Sequence, residues 1–263
     1  MKTIISLFPK YYQHLSIPEL ASVVKKVGLD TTNAVIRDGY WVTKAGIASE
    51  LPEFVRIMSG EGLEVKFASA GFYPEELRND PSLLETMAEC GITEFRLGWF
   101  RVLDNDVRGS LEYARRELES VVPLLERFGV RGVYQLHHFT LIPSPSAVWY
   151  IIKGLPHKWI GVELDPGNQS NEGFEIWSRS VPLLNEYISA VGVKDSIVFR
   201  DMKHADDWDK GWRRQSAPIY EGTVNWHDLM EQLAKIDFHG TFVMMPFYDQ
   251  DNPAAMTEKL KLE

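Results

Sequence analysis

The chain has 263 residues, 44% hydrophobic and 25% charged, an ordinary globular composition large enough for one α/β barrel or two small domains. Its 37 acidic and 28 basic side chains give a net charge of -9, which disfavours nucleic acid and anionic membrane surfaces as partners. The single cysteine, Cys90, excludes an intrachain disulfide and a thiol-rich metal site, so we expect a reducing, cytoplasmic location. Neither a signal-peptide core nor a membrane-spanning apolar stretch is expected.

Eight short apolar runs, rich in β-branched and aromatic residues, predict strands along the chain. They begin at Thr3, Thr31, Leu63, Thr93, Val130, Trp159, Ile188 and Gly240. Their starts recur about every 30 residues, apart from a longer last interval, which is the spacing of one strand-loop-helix-loop unit. The regular spacing therefore predicts repeated βα units.

Helices with recognisable ends fill the intervals between these runs. Ser16 and Glu19 have the spacing of a capping box, and Gly28 ends the helix that they begin. Further helices are predicted over 80–91, 110–128, 170–187 and 223–236. Strands that alternate with helices indicate a parallel sheet covered by helices.

The predicted fold is a single (β/α)8 TIM barrel over residues 1–263, because eight units in this length match the usual size of that barrel. The alternative is an open doubly wound sheet, which typically carries a glycine-rich phosphate turn after its first strand. Here that turn reads SLFPKYYQHLS and contains no glycine, so we prefer the barrel and expect no nucleotide cofactor. Catalytic groups in such barrels lie at the carboxyl ends of the strands.

The long last interval contains residues 195–222, a charged segment that carries Trp208 and Trp212. A loop of this length in a compact domain is typically functional, such as a lid or a partner contact after strand seven. The alternative interpretation is a solvated excursion that contains an extra helix.

The segment GVELDPGN, residues 161–168, is the most informative in the chain. Side chains alternate along a strand, so Glu163 and Asp165 lie on the same face. Buried carboxylates are costly unless they are paired, hydrogen-bonded or bound to a metal, so this pair predicts a site. The alternative is that Asp165 merely begins a turn, which would leave Glu163 unexplained.

Polar residues also end the strands on either side. Gln135 and His137 share one face at the end of strand five. At the end of strand seven, Lys194 and Asp195 lie on opposite faces. Lys194 is either part of a surface ion pair or a cation that stabilises negative charge developing on a sugar oxygen. These residues are candidates for catalysis and substrate binding.

Strand four contributes two further candidates. Arg96 lies within the strand and could bind sugar hydroxyls, and Trp99 lies at its end. An aromatic side chain at this place either stacks on a sugar ring or plugs the top of the barrel.

The chain resembles the xylose isomerase-like TIM-barrel superfamily, which includes sugar phosphate isomerases and epimerases and the endonuclease IV-like proteins. The resemblance covers nearly the whole chain. It is carried by ELASVVKKVGLD near the start, GVRGVYQLHH, GVELDPGN, YISAVGVKD and PIYEGTVNWHDLMEQL. The last four segments stand where the family shows a strand that ends in Glu-x-His, an Asp, His-Val-Lys-Asp, and a Gly-Glu-Gly or Glu-Gly turn before a helix.

The resemblance implies proton transfer between neighbouring sugar carbons with a divalent cation, Mn or Mg, held by Glu, Asp, His and Glu. The corresponding positions here are Gln135, Asp165, Gly192 and Met245 or Phe247. Only Asp165 is the expected residue, and Gln135 could add a carbonyl oxygen. Because two side-chain oxygens do not make a dedicated cation site, we expect a departure from the family's metal mechanism.

Three interpretations follow from this departure. His204, Glu221 and Glu163 could build a displaced metal site. Alternatively, the enzyme works without metal, with Glu163 or Asp165 as general base and Lys194 or His137 as electrophile or acid. The third interpretation is a barrel that has lost catalysis and binds a carbohydrate or a protein partner.

We therefore predict an isomerase or epimerase that acts on a small sugar, keto-sugar or polyol derivative, with a non-catalytic binding barrel as the alternative. The predicted catalytic residues are Glu163, Asp165, His137 and Lys194. The predicted substrate-binding residues are Gln135, Asp195, Arg96, Trp99, Glu221 and His204. The sequence leaves open whether the chain forms a homo-oligomer and whether the substrate carries a phosphate.

Overall fold

The computed structural model describes residues 3–263. Its strands are, in chain order, β1 (Ile4–Leu7), β2 (Thr31–Thr32), β3 (Ala34–Val35), β4 (Phe67–Phe72), β5 (Glu94–Leu97), β6 (Arg131–Gln135), β7 (Ile160–Leu164), β8 (Ile188–Val193), β9 (Asp195–Arg200), β10 (Trp212–Ala217) and β11 (Thr241–Met244). All of them except β9 and β10 form one parallel sheet, in the order β2-β1-β11-β8-β7-β6-β5-β4-β3.

The sheet closes into a barrel because β2 and β3 are two halves of one strand position, separated by Asn33. β2 pairs with β1 on one side, and β3 pairs with β4 on the other. Inside the barrel, Ser6 Oγ donates to Asn33 Oδ1 over 2.6 Å, and Asn33 Nδ2 donates to Ser69 Oγ over 3.1 Å. The predicted (β/α)8 barrel is confirmed, and each of the eight predicted runs contributes a strand to the ring.

Helices lie between successive strands. They are α1 (Ile17–Val27), α2 (Ile47–Gly60), α3 (Pro74–Asn79), α4 (Ser82–Glu89), α5 (Val107–Phe128), α6 (Pro145–Ile152), α7 (Pro166–Gln169), α8 (Trp177–Leu184), α9 (Trp226–Lys235) and α10 (Pro253–Leu260). Two short 3-10 turns cover Asn185–Tyr187 and Met202–His204.

The predicted helix ends are correct where capping residues determine them. The Glu19 carboxylate accepts a hydrogen bond from the Ser16 amide over 2.8 Å, and Gly28 ends α1 at a φ of +81°. The predicted helix over 170–187 is wrong in its first part, because regular helix begins only at Trp177. Before it, α7 ends early and Gly173 takes a left-handed φ of +84°, which interrupts the helix.

The hydrophobic core has an outer and an inner part. The outer part packs the apolar faces of the helices against the sheet. The inner part fills the barrel with Phe8, Val35, Phe67, Val133, Ala190, Val243 and Met245. The barrel is therefore a packed core, and a ligand has room only at its ends.

Within residues 195–222, β9 and β10 form an antiparallel hairpin whose connection contains the 3-10 turn Met202–His204. The segment is therefore mostly a hairpin rather than a loop, and its only helical part is this single turn. Trp208 at the turn of the hairpin is 95% exposed. A role of this hairpin as a lid or a partner contact stays a prediction. Among residues 3–263, no helix has both the length and the apolar character needed to cross a membrane.

Candidate functional site

A small cavity of about 70 Å³ opens at the carboxyl ends of the barrel strands, and we call it the rim cavity. Its lining residues are Phe8, Lys10, Arg37, Arg96, Trp99, Gln135, His137, Lys194, Met245 and Phe247. They come from both ends of the chain, because the ring brings the strand ends together at one face. Five of the predicted site residues line this cavity: Arg96, Trp99, Gln135, His137 and Lys194.

A continuous chain of polar contacts runs along the floor of the rim cavity. Arg96 donates to the Gln135 amide oxygen over 2.9 Å, and Gln135 Nε2 donates to Asp165 Oδ2 over 2.6 Å. Lys194 Nζ lies 3.1 Å from the same Asp165 oxygen. Because arginine only donates and a carboxylate only accepts, these partners fix which way the Gln135 amide faces.

Asp165 serves two purposes, one with each oxygen. Oδ1 accepts a hydrogen bond from the Asn168 amide over 2.9 Å and so caps the short helix α7. Oδ2 receives Gln135 and Lys194. The carboxylate is fully buried. The turn interpretation is therefore confirmed for Oδ1, and a role of Asp165 in a functional site stays a prediction.

The position of Lys194 depends on a glycine in the neighbouring helix. A Cβ atom added to Gly167 would lie 2.6 Å from Lys194 Cγ and 2.7 Å from the Lys194 carbonyl oxygen. Only glycine allows α7 to approach the lysine backbone this closely. The Lys194 ammonium group also lies 5.0 Å from the centre of the Phe247 ring, in a cation–π contact.

Glu163 is buried in the barrel interior and does not line the rim cavity. It is paired in register with Gln135 on β6, and neither of its carboxylate oxygens has a hydrogen-bond partner. Burial raises the pKa of Glu163 to about 7, against the opposing effect of the Arg96 guanidinium. Glu163 can therefore gain or lose a proton near neutral pH.

His137 faces the cavity as a neutral imidazole. Its Nδ1 lies 2.8 Å from the His138 carbonyl oxygen, which can only accept, so Nδ1 carries the proton and Nε2 is the acceptor. The ring packs against Trp99, with the ring centres 4.2 Å apart and the ring planes tilted by 40°. Burial lowers the pKa of His137 to about 4, with the nearby Lys194 charge acting in the same direction.

Three predicted substrate-binding residues lie outside this cluster. Asp195 is buried at the start of β9, where its oxygens accept from the Thr223 and Val224 amides and from Trp226 Nε1. It holds the segment after the hairpin in place and does not line the rim cavity.

The other two are His204 and Glu221, and both are exposed. His204 lies on the hairpin connection, within 3.4 Å of Asp207 and 3.7 Å of Asp201. Neither residue lines the rim cavity. The structure therefore does not bring Glu163, His204 and Glu221 together, and a displaced metal site built from them is ruled out by their placement.

Lys10 is a cavity residue that the sequence analysis missed. It follows β1 by three residues and lines the rim cavity beside Arg37, with its ammonium group 4.7 Å from the centre of the Phe247 ring. The available signal was its position just beyond the end of a barrel strand, which is where ligand-binding residues collect in this fold.

The donor set at the rim does not fit a divalent cation. A Cβ atom on Gly192 would lie 3.1 Å from Asp165 Oδ2 and 3.1 Å from Met245 Cε, so a side chain at this position has little room. Among the four positions that correspond to the family's metal ligands, only Asp165 is a carboxylate, and Lys194 already contacts its Oδ2 atom. Among residues 3–263, no group of three or more His, Cys, Asp or Glu side chains is arranged to hold a metal ion.

Residues 81–262 match the model of the family described as "Xylose isomerase-like TIM barrel". Because this match covers more than half of the sequence, the chain belongs to the xylose isomerase-like TIM barrel family. No curated protein matches the chain in sequence.

Solved structures share the fold at low sequence identity. The chain is similar to a xylose isomerase-like TIM barrel protein from Mycobacterium smegmatis in complex with magnesium, with 14% identity, a TM-score of 0.65 and coverage of 100% of this chain and 97% of that one. It is also similar to 3-keto-D-glucoside 4-epimerase, YcjR, from E. coli, with 17% identity, a TM-score of 0.69 and coverage of 99% and 98%. A third is the IOLI protein with a binding zinc atom, with 12% identity, a TM-score of 0.75 and coverage of 98% and 94%. At such low identity these likenesses establish the fold alone.

Proposed function

We propose that this protein isomerises or epimerises a small sugar, keto-sugar or polyol derivative by metal-independent proton transfer at the rim cavity. The observation that carries the proposal is the ion pair between Lys194 and the fully buried Asp165, 3.1 Å apart. This ion pair fixes a positive charge in a largely buried site at the carboxyl ends of the strands. The similarity to an epimerase of the same fold supports this reaction class. Cys90 is unpaired, which agrees with the cytoplasmic location that we propose.

Lys194 is the electrophile in the proposed mechanism. Its ammonium group donates a hydrogen bond to the substrate carbonyl oxygen, and it stabilises the negative charge that develops there when the neighbouring carbon loses its proton. Asp165 and Phe247 hold the ammonium group from two sides, so it needs no reorganisation during the reaction. A preorganised cation in a low-dielectric site stabilises an enolate much more than one in water.

Glu163 is the proposed proton acceptor. Its pKa of about 7 allows it to take up a proton and return it near neutral pH. Because its oxygens make no hydrogen bonds, a rotation of the side chain toward the cavity loses none. Asp165 is less suited to this role, since both of its oxygens are already engaged. Return of the proton to the former carbonyl carbon, together with transfer of the hydroxyl proton from one oxygen to the other, gives isomerisation. Epimerisation requires the enolate to turn over in the site before Glu163 returns the proton to the opposite face of the same carbon.

The family's metal chemistry does not carry over to this site. Two structures of the same fold are described with magnesium and with zinc, but the positions of the expected ligands here are Gln135, Gly192 and Met245 beside Asp165. We propose that Lys194 supplies the electrostatic stabilisation for which other members of the family use a cation. The reaction is then expected to continue in the presence of a chelator.

The test is proton exchange in heavy water with a panel of ketoses, using chelator-treated protein whose metal content has been measured. We expect solvent deuterium at the carbon next to the carbonyl with wild-type protein. Glu163→Gln and Lys194→Met should each reduce the exchange rate at least 100-fold, because each removes a group that acts in the transition state. Glu126→Gln, on the exposed face of α5, is the matched control and should exchange at the wild-type rate. Exchange that requires added metal, or that survives both substitutions, contradicts the proposal.

A second candidate function is a barrel that binds a carbohydrate without transforming it. One observation favours it: neither Glu163 nor Asp165 lines the rim cavity. In that case Glu163 would only balance the buried charge of Arg96. Saturable sugar binding that Lys194→Met weakens, together with no exchange for any sugar of the panel, would establish this function in place of the first.

A further inference from the structure

A larger pocket adjoins the rim cavity, and we call it the side pocket. It has a volume of about 430 Å³ and lies at the ends of the second, third and fourth strand positions of the barrel. Arg37, Arg96 and Trp99 line both the side pocket and the rim cavity. The two spaces therefore share part of their wall, and we call them together the combined site, with Lys194 on the side of the rim cavity.

The combined site is lined by six basic side chains and by one carboxylate, that of Asp38. Lys194 is paired with Asp165, and Arg96 is close to Glu163. Lys10 and Arg37, in contrast, form no salt bridge, and their charged ends donate no hydrogen bond within residues 3–263. These two side chains thus present unused hydrogen-bond donors and two positive charges where the two spaces meet.

The remaining cations of the side pocket are already engaged. Lys44 pairs with Glu76 over 2.7 Å, and Arg101 donates to the Phe139 carbonyl oxygen over 2.9 Å. They form the outer wall and have less to offer a ligand than Lys10 and Arg37. The available donors are therefore concentrated on one side of the site, opposite Lys194.

We propose that the substrate is an anionic sugar derivative, whose carboxylate or phosphate group binds between Arg37 and Lys10 while its carbonyl end reaches Lys194. This inference rests on the proposed function of the same site and names its substrate class. An oxyanion would accept two charge-assisted hydrogen bonds here, one of them from a guanidinium group that matches its planar geometry.

The electrostatics of the ligand-free site support this assignment. Lys10 is half-buried, and its pKa is lowered by burial and by repulsion from Arg37 and Arg96. A bound oxyanion would relieve that repulsion. The contrast with the whole protein is informative, because a chain with a net charge of -9 has no general attraction for anions. A local excess of positive charge in a concave site is thus a specific feature of this face.

The test is isothermal titration at low salt with three hexose probes: D-fructose, D-fructose 6-phosphate and D-glucuronate. We expect at least one of the two anionic probes to bind at least tenfold more tightly than D-fructose. Arg37→Gln and Lys10→Met should each weaken the binding of that anion about tenfold more than they weaken the binding of D-fructose. Arg116→Gln, which removes an exposed charge from the outer face of α5, is the control for net charge and should change nothing.

The two anionic probes distinguish a phosphate from a carboxylate as the bound group. Equal affinity for D-fructose and for both anions overturns the inference, as does anion binding that Arg37→Gln and Lys10→Met leave intact. A failure of the proposed function can be distinguished from a failure of this inference. Arg37-dependent anion binding without any proton exchange would uphold the anion site and reject the isomerase, whereas exchange of neutral ketoses without anion preference would do the reverse.

Discussion

Replacing Glu163 by Gln should change how the stability of the protein depends on pH. Glutamine has nearly the shape of a protonated glutamate but cannot ionise. The pKa of Glu163 is raised from 4.5 to about 7 in the folded protein, chiefly by burial. Between these two pH values the folded state binds more protons than the unfolded state, so the wild-type protein loses stability as the pH rises through this window.

The size of this effect follows from the two pKa values. The difference between 4.5 and about 7, at about 1.4 kcal/mol for each pH unit, corresponds to about 3 kcal/mol of unfolding free energy. Below pH 4.5 the glutamate is protonated in both states, and the variant should behave like the wild type. Above pH 7 the wild type has the full cost of a buried charge, which the variant avoids.

Urea denaturation of both proteins from pH 4 to pH 8 measures this difference. The free energy of unfolding of Glu163→Gln, minus that of the wild type, should rise by about 3 kcal/mol across the range and then level off. Glu126→Gln, at an exposed position on α5, should give a difference that stays nearly constant. Parallel curves for Glu163→Gln and the wild type would refute the reasoning, because they would mean that Glu163 ionises at the same pH in both states.

Three further substitutions test the architecture of the site. Gly167→Ala places a Cβ atom 2.7 Å from the Lys194 carbonyl oxygen. It should therefore lower the free energy of unfolding, measured in urea, by about 1–3 kcal/mol and slow proton exchange. Unchanged values for both would contradict the described packing. Gly192→His restores the residue that the family shows at this position, but its Cβ atom would lie 3.1 Å from Met245 Cε. We therefore expect a similar loss of stability, and no Mn²⁺ binding in titration calorimetry. Asp195→Ala removes the acceptor of partly buried N–H groups after the hairpin, so the free energy of unfolding should fall by about 1–3 kcal/mol. The affinity for a sugar should stay within twofold of the wild-type value, because Asp195 does not line the rim cavity.

The sequence predicts the barrel well because the fold depends on repeated local patterns. Every barrel strand has an apolar run with a turn signal after it, and α1 and α5 have clear glycine ends. Other helices carry weaker signals. α2, for example, contains Pro52 in its interior and has Gly46 as its N-cap residue, so neither its cap nor its composition marks it as a helix.

The candidate site is only partly readable from sequence. Alternation along a strand places Lys194 and Asp195 on opposite faces but does not say which face is the inner one, so Asp195 was also predicted to bind substrate although it does not line the rim cavity. Alternation does not give depth either, so it cannot show that Glu163 lies below the cavity that Gln135 lines. Lys10 was missed for a related reason: its contact with Phe247, which follows the last barrel strand, depends on the closure of the ring, and that closure has no local sequence signal.

The central claim is that Lys194 provides the positive charge at the centre of this site. The most direct test is a crystal structure of the protein soaked in Mn²⁺, with the metal located by its anomalous scattering. We expect no manganese at Asp165, with Lys194 Nζ still about 3.1 Å from Asp165 Oδ2. Manganese bonded to Asp165, with the lysine displaced from it, would contradict the account.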